Sequence, residues 1–236
     1  MIWDLNLFWI ILFIFQIILL NFLSKNFHSY LFFLTGAHTG KSLFSAKIAG
    51  LILFIGTLIH ELSHVLMAGI LFVRVKSLNL KTELTEDKHI RFGTAEVEQV
   101  DPFRNSLIGI APLIFGLILV YFIASSIDLN NFNLIEFFKI LLISQISNSM
   151  FLSKSDTLYF KYVFIIFIFF ILFLFLINFF YNFSQINFFF SNILDFFKNT
   201  NLVSLLKDIN LIFIFVILLN TLTNLFLKFL SKYKRY

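Results

Sequence analysis

The residues with the clearest chemistry in this sequence lie in one apolar stretch, GTLIHELSHVLMAGILF, where His60, Glu61 and His64 form the pattern H-E-x-x-H. On a helix, side chains four residues apart share a face, so both imidazoles can hold one zinc ion with the glutamate beside it. Zinc lowers the pKa of its bound water towards about 7, and Glu61 can take the proton as that water attacks a peptide carbonyl. The pattern predicts a peptidase centre with His60 and His64 as metal ligands and Glu61 as general base.

The surroundings of the pattern favour the metal interpretation. An ionisable side chain at bilayer depth costs roughly 2.5–3.5 kcal/mol, so a copy without a function would be costly there. Gly56, one turn before His60, and Ala68, one turn after His64, keep the neighbouring turns uncrowded. The chain has no cysteine, so a metal must be held by histidines and carboxylates.

The composition is that of an integral membrane protein. Of 236 residues, 59% are hydrophobic and only 13% are charged, and the mean hydropathy is +0.92. The net charge of +5 comes from lysines and arginines that are scattered over loops and the C-terminal tail, so we predict no nucleic-acid partner. The expected partners are the lipid bilayer and a membrane protein or peptide substrate, and the sequence does not specify an oligomeric state.

Six apolar segments are long enough to span the roughly 30 Å of hydrocarbon in a bilayer. They are residues 5–23, 46–72, 103–124, 136–152, 158–181 and 210–230. The fourth is the least apolar, and residues 182–209 after the fifth are polar enough for an interfacial loop. The sequence predicts an all-α polytopic membrane protein with about six transmembrane helices.

One polar stretch, residues 73–101, separates the second and third apolar segments. Its half HIRFGTAEVEQV alternates with the period of a strand, which predicts a small β-sheet or hairpin. Asp101 followed by Pro102 is typical of a helix start. We expect a single membrane domain over residues 1–236, with a catalytic core at about 46–160, a β-rich segment at 73–101 and C-terminal helices at 158–236.

The distribution of basic residues predicts the orientation. With both termini inside, twelve lysines and arginines lie on the cytoplasmic side and six outside, and the reverse orientation violates the positive-inside rule. We therefore expect a multi-pass protein of a bacterial plasma membrane with both termini cytoplasmic. The end of the second helix, the β segment and Asp156 then lie near the inner face.

Over roughly residues 50–160 the sequence resembles the site-2 protease family of intramembrane zinc metallopeptidases. That family has H-E-x-x-H on one helix, then a β-rich segment, a helix with a Gly-Pro turn, and a helix with an Asn and a ligand Asp. The segment IGIAPLIFG (108–116) is similar to the Gly-Pro helix. The segment NSMFLSKSD (148–156) keeps the eight-residue spacing from Asn to Asp.

The resemblance implies a function and two further site residues. Asp156 would be the third protein ligand of one Zn²⁺ per chain, and Asn148 a hydrogen-bond donor to the substrate carbonyl. The activity would be hydrolysis of a peptide bond of a membrane-embedded substrate near the cytoplasmic face. An extended substrate could add as a strand to the edge of residues 89–100.

Several alternatives stay open at this point. The family usually has prolines between the Asn and the Asp and a glycine after the Asp, whereas this chain has no proline there and Thr157 follows Asp156. This departure supports the alternative of a non-catalytic zinc-binding membrane scaffold, and the intact Glu61 counts against it. A prenyl-protein type of peptidase would need a distant glutamate ligand, and a metal transporter would spread its ligands over several helices. Asp156 could instead end a helix beside Lys154. Its possible substitutes as third ligand are Glu83, Glu86, Asp87, His89 and Glu96.

Two other features look like sites. The segment TGAHTGKS (35–42) is similar to a phosphate-binding loop, but three residues separate its glycines where four are required. His28 and His38 are interpreted as ordinary loop residues.

Overall fold

The computed structural model describes residues 2–36, 43–81, 83–84, 90–91, 93–128, 130–151, 153, 156, eight positions between 164 and 176, and 200–233. Five helices are named here α1 to α5: Ile2–Thr35, Leu43–Ile70, Pro102–Ser125, Leu134–Ser149 and Thr200–Tyr233. Four strands, β1 to β4, lie between α2 and α3: Val75–Asn79, Glu83–Leu84, Ile90–Arg91 and Thr94–Val97.

Four helices of the described residues are long and apolar enough to cross a membrane. They are Phe8–Thr35, Phe44–Ile70, Pro102–Ser125 and Ser204–Tyr233. The prediction of an α-helical membrane protein agrees with this architecture. Helix α4 has 16 residues, about 24 Å of helix, and most of the predicted fifth span, 158–181, lies outside the described residues. The count of six spans therefore stays a prediction.

Helix α1 continues beyond the predicted end at residue 23, because its polar side chains find partners inside the protein. The Ser24 hydroxyl donates to the backbone oxygen of Asn148 (2.6 Å), and His28 Nδ1 lies 2.8 Å from the backbone oxygen of Ser24. The helix runs on to Thr35. The polar residues after position 23 predicted the end of the helix, but they are accommodated within α1 and its contacts.

The predicted start of the third helix is confirmed. The Asp101 carboxylate accepts hydrogen bonds from the backbone N–H groups of Phe103 and Arg104, both at 3.1 Å. Pro102 occupies the first helical position, where its missing N–H costs nothing. This cap fixes the register at which α3 enters the bundle.

The predicted hairpin is present and folds back along α2. Strand β1 pairs antiparallel with β4, and β2 pairs antiparallel with β3. At the base, Val73 packs with Ala68 and Ile108 in a buried cluster. Further along, Gly93 lies so close to α2 that an added Cβ would be 2.9 Å from Thr57 Cγ2 and 3.1 Å from Glu61 Cγ. The start of β4 therefore lies beside the H-E-x-x-H turn.

Small residues let the end of α4 approach α2 and α3 closely. A Cβ added to Gly56 on α2 would clash with the Ser149 side chain and lie 2.7 Å from the Gln145 backbone oxygen. A Cβ added to Gly116 on α3 would clash with Met150. These two contacts bring the end of α4 against the face of α2 that carries the histidines.

Helices α1 and α5 run parallel. Asn210 Nδ2 donates to the backbone oxygen of Trp9 (3.1 Å), and Asn224 Nδ2 donates to that of Leu23 (2.9 Å). The start of α1 and the end of α5 therefore lie at opposite ends of the bundle. The prediction that both termini share the cytoplasmic side is wrong for these helix ends. The twelve basic residues expected on the cytoplasmic side include Lys228 and Lys232, near the end of α5. Both lie at the end of the bundle opposite the start of α1, which weakens the charge argument for orientation.

Candidate metal centre

Three potential ligand atoms converge between α2 and the segment after α4. His60 Nε2 and His64 Nε2 are 3.3 Å apart. Asp156 Oδ2 lies 3.7 Å from His60 Nε2, and Asp156 Oδ1 lies 3.5 Å from His64 Nε2. A tetrahedral zinc ion with bonds of about 2.0–2.1 Å separates its ligand atoms by about 3.3 Å. His60, His64 and Asp156 thus form a group that could hold a metal ion.

The end of α4 orients His60. Its Nδ1 lies 2.7 Å from the backbone oxygen of Ser149, the last residue of the helix. Carbonyls in the last turn of a helix have no intrahelical partner, so this oxygen is available as an acceptor. Since a carbonyl can only accept, Nδ1 carries the ring proton and Nε2 is left as the metal-binding atom.

A proline orients His64 in the same way. Its Nδ1 lies 2.7 Å from the backbone oxygen of Ile108 on α3. In a regular helix that oxygen would accept from the N–H four residues later, but residue 112 is a proline and has none. Pro112 therefore releases a buried carbonyl to His64. This is the outer-shell contact that protein metal sites commonly use to fix a histidine ligand.

The Asp156 carboxylate is held by its own turn and by α3. Its Oδ2 accepts from the backbone N–H of Ser153 (2.7 Å), and its backbone packs where a Cβ on Gly109 would clash. Burial by itself would raise the pKa of Asp156, but the neighbouring imidazoles of His60 and His64 and the hydrogen bonds with Ser153 outweigh burial and hold the pKa at about 2. The group is therefore ionised at neutral pH, as a metal ligand must be.

Glu61 lies next to this group, and its carboxylate makes no hydrogen bond or ion pair with the described part of the chain. The residue is 9% exposed. It lines a cavity of about 270 Å³ together with His60, Gly93 and Ser153. A carboxylate beside a metal and open to a cavity is placed to accept a proton from bound water.

Asn148 contributes to the bundle in this conformation. The residue is 1% exposed, and its Nδ2 donates to the backbone oxygen of Ser144 (2.8 Å) and to Asn220 Oδ1 (3.0 Å). Both amide hydrogens are thus used within the protein, although the residue borders the cavity. Its role as a donor to substrate stays a prediction.

The remaining sequence candidates separate into three groups. Glu96 is exposed and accepts from the Ser77 hydroxyl (3.2 Å), away from the histidines. Helix α1 contains His28, so its interpretation as a loop residue is wrong, and His28 lines the same cavity as His60. The side chains of the other candidates lie outside the described residues: His38, Glu83, Glu86, Asp87, His89, Lys154 and most of the phosphate-loop-like segment.

Sequence reasoning missed the residues that support the ligands. The sequence analysis uses Pro112 only for the resemblance to a Gly-Pro helix. Its effect on the Ile108 carbonyl follows from the sequence as well, because residue 112 is the helical hydrogen-bond donor to the oxygen of residue 108 and a proline has no N–H. The roles of Gly109, Gly93 and Ser149 depend on contacts between helices. No local pattern signals such contacts.

Comparisons of this chain with protein-family models, with curated proteins and with solved structures find no match.

Metal binding tests the three ligands. The wild-type protein should bind one zinc per chain, and His60→Ala, His64→Ala or Asp156→Ala should each lower the affinity by more than 100-fold, beyond the 10–100-fold typical of outer-shell losses. Equilibrium dialysis in detergent measures this. Asp101→Ala, which removes a cap carboxylate at a helix start, is the control. An equal loss of zinc affinity in Asp101→Ala would show that the loss in Asp156→Ala is not specific, and Asp156 would leave the ligand set.

The pH dependence of zinc affinity gives a second test. Imidazole must be neutral to bind, so zinc affinity should fall as pH drops through about 6.

Pro112→Ala tests the proline explanation. The new N–H at 112 can bond to the Ile108 oxygen and compete with His64, so zinc affinity should fall about 10–100-fold while α3 becomes more regular. Pro102→Ala, at the helix start, should leave zinc affinity unchanged. Unaltered affinity in Pro112→Ala would show that the freed carbonyl does not orient His64.

Proposed function

We propose that this protein is an intramembrane metallopeptidase that hydrolyses a peptide bond of a membrane-embedded substrate. The observation that carries the proposal is the convergence of two oriented imidazoles and one carboxylate, whose ligand atoms lie within 4.8 Å of one another, with Glu61 lining the adjoining cavity. The order of these elements along the chain is similar to that of the site-2 protease family. A structural metal site would not need Glu61, whose carboxylate has no hydrogen-bond or ion-pair partner among the described residues.

Each residue has a definite role in this proposal. His60, His64 and Asp156 would hold a zinc ion, which supplies Lewis acidity and makes a water molecule acidic enough to ionise near neutral pH. Glu61 accepts the proton of that water and later delivers it to the leaving amine. Glu61 is only 9% exposed, so the surrounding protein screens its charge less than bulk water would.

The substrate must be extended at the cleaved bond, because a helix keeps its carbonyls in its own hydrogen bonds. Strand β4 begins at Thr94, directly after the glycine that lies against Glu61. The backbone N–H of Glu98 donates to Arg74 O, on the β1 side (2.9 Å). By the two-residue period of a strand, the N–H groups of Ala95 and Val97 then point away from β1, where a substrate strand could pair.

Replacement of the base tests the activity. Glu61→Gln keeps the size of the side chain but cannot accept the proton, so cleavage should fall at least 100-fold at unchanged zinc content. The assay uses a library of quenched fluorescent octapeptides with the protein in detergent. Glu98→Gln, an exposed carboxylate, is the matched control and should retain activity. Full activity in Glu61→Gln would reject the mechanism; zinc binding without any cleavage would favour a non-catalytic scaffold.

Proline substitutions test substrate pairing with β4. Ala95→Pro or Val97→Pro removes an edge donor without removing a β1–β4 hydrogen bond, so cleavage should fall about 10-fold while zinc affinity stays constant. Glu96→Pro is the contrasting variant, because it removes a donor to β1 and should loosen the hairpin itself. Wild-type cleavage in the Ala95 and Val97 variants would show that substrate does not use this edge.

A further inference from the structure

His28 provides an imidazole in the candidate active-site cavity that no step of the proposed mechanism uses. It lies on α1, and it lines the cavity of about 270 Å³ that His60 and Glu61 also line. That volume is slightly below the roughly 300–1,000 Å³ of most ligand pockets, so the cavity accommodates only a short segment of a peptide. A peptide unit inside it is therefore within reach of both the α1 wall and the α2 wall.

The ring of His28 is fixed, and the proton on its Nδ1 is assigned by its partner. Nδ1 lies 2.8 Å from the backbone oxygen of Ser24, which can only accept. The ring also packs edge-on against Phe27 and Phe32, with centroids 5.7 and 5.9 Å apart. In the neutral ring Nε2 is then a hydrogen-bond acceptor. Among the described residues it has no hydrogen-bond partner.

An extended peptide in this cavity needs such an acceptor. Its N–H groups alternate between two sides, and those facing away from β4 face the helices. A buried N–H without a partner weakens binding, because the peptide gives up its hydrogen bond to water and gains none in return. Several other polar groups of the wall are already engaged or closed off. Glu61 is the proposed base, and the Ser24 hydroxyl donates to Asn148 O. Asn148 Nδ2 donates to Ser144 and Asn220, and its Oδ1, without a partner among the described residues, is buried from solvent.

We propose that His28 is a substrate-binding residue whose Nε2 accepts a hydrogen bond from a backbone N–H of an extended peptide in the cavity. The ligand class is any peptide strand, because a backbone group rather than a side chain is recognised. This inference deepens the proposed function and rests on it for the identity of the ligand. Binding without cleavage is enough to test it.

The experiment scans the peptide backbone with esters, which replace one N–H at a time by oxygen. Binding of a fluorescent octapeptide, the tightest binder of the library, is measured by anisotropy in the Glu61→Gln background, where no cleavage is expected. At one position the ester should weaken binding about 10-fold. That loss should disappear in His28→Leu and return in part in His28→Gln, whose amide oxygen can replace Nε2. Tyr30→Phe on the same helix should behave as the parent.

The outcomes separate the two proposals. Equal ester penalties with and without His28, at every position, would overturn the role of His28 while leaving peptidase activity intact. The absence of binding by any library peptide would overturn it as well. A position-specific penalty that depends on His28, in a protein whose wild type cleaves nothing, would support the peptide site and reject the peptidase.

Discussion

The geometry of the candidate metal centre depends on two backbone carbonyls that have no helical partner. One belongs to Ser149, at the end of α4, and the other to Ile108, whose partner four residues later is Pro112. Each lies 2.7 Å from the Nδ1 of one histidine. In an apolar bundle an unpaired carbonyl and an unpaired imidazole N–H are both costly. Their pairing removes both costs and turns the two Nε2 atoms towards one point.

The carbonyl of Ser149 is useful only if the end of α4 is held in place, and α5 supplies that support. Asn220 accepts from the Asn148 amide (3.0 Å) and donates to the Ser147 hydroxyl (2.8 Å). On the opposite face, Gly56 lets α4 approach α2 to van der Waals distance. Hydrogen bonds on one side and a missing Cβ on the other thus determine the position of a single oxygen.

The sequence predicted the features whose cause is local. The spacing in H-E-x-x-H gave the two histidines a common helix face, the Asp101-Pro102 pair gave the start of α3, and alternation gave the hairpin. The placement of Asp156 beside the histidines rested on a family resemblance, and the geometry agrees with that placement. The end of α1 and the direction of α5 were not predictable in this way. Both depend on side chains such as Ser24 and Asn210, whose partners lie 124 to 201 residues away along the chain.

Helices α1 and α5, which pair in the folded protein, are synthesised at different times. The backbone oxygens of Trp9 and Leu23 receive their donors from asparagines 201 residues later. At a synthesis rate of about 5–20 residues per second, about 10–40 s pass between the emergence of α1 and that of its partner on α5. During that interval the amide of Gln16, which donates to Asn210 O in the finished protein, must be satisfied by water, lipid headgroups or the translocation machinery. His60 and His64 on α2 are thus synthesised well before α5, the helix that holds the end of α4 in place.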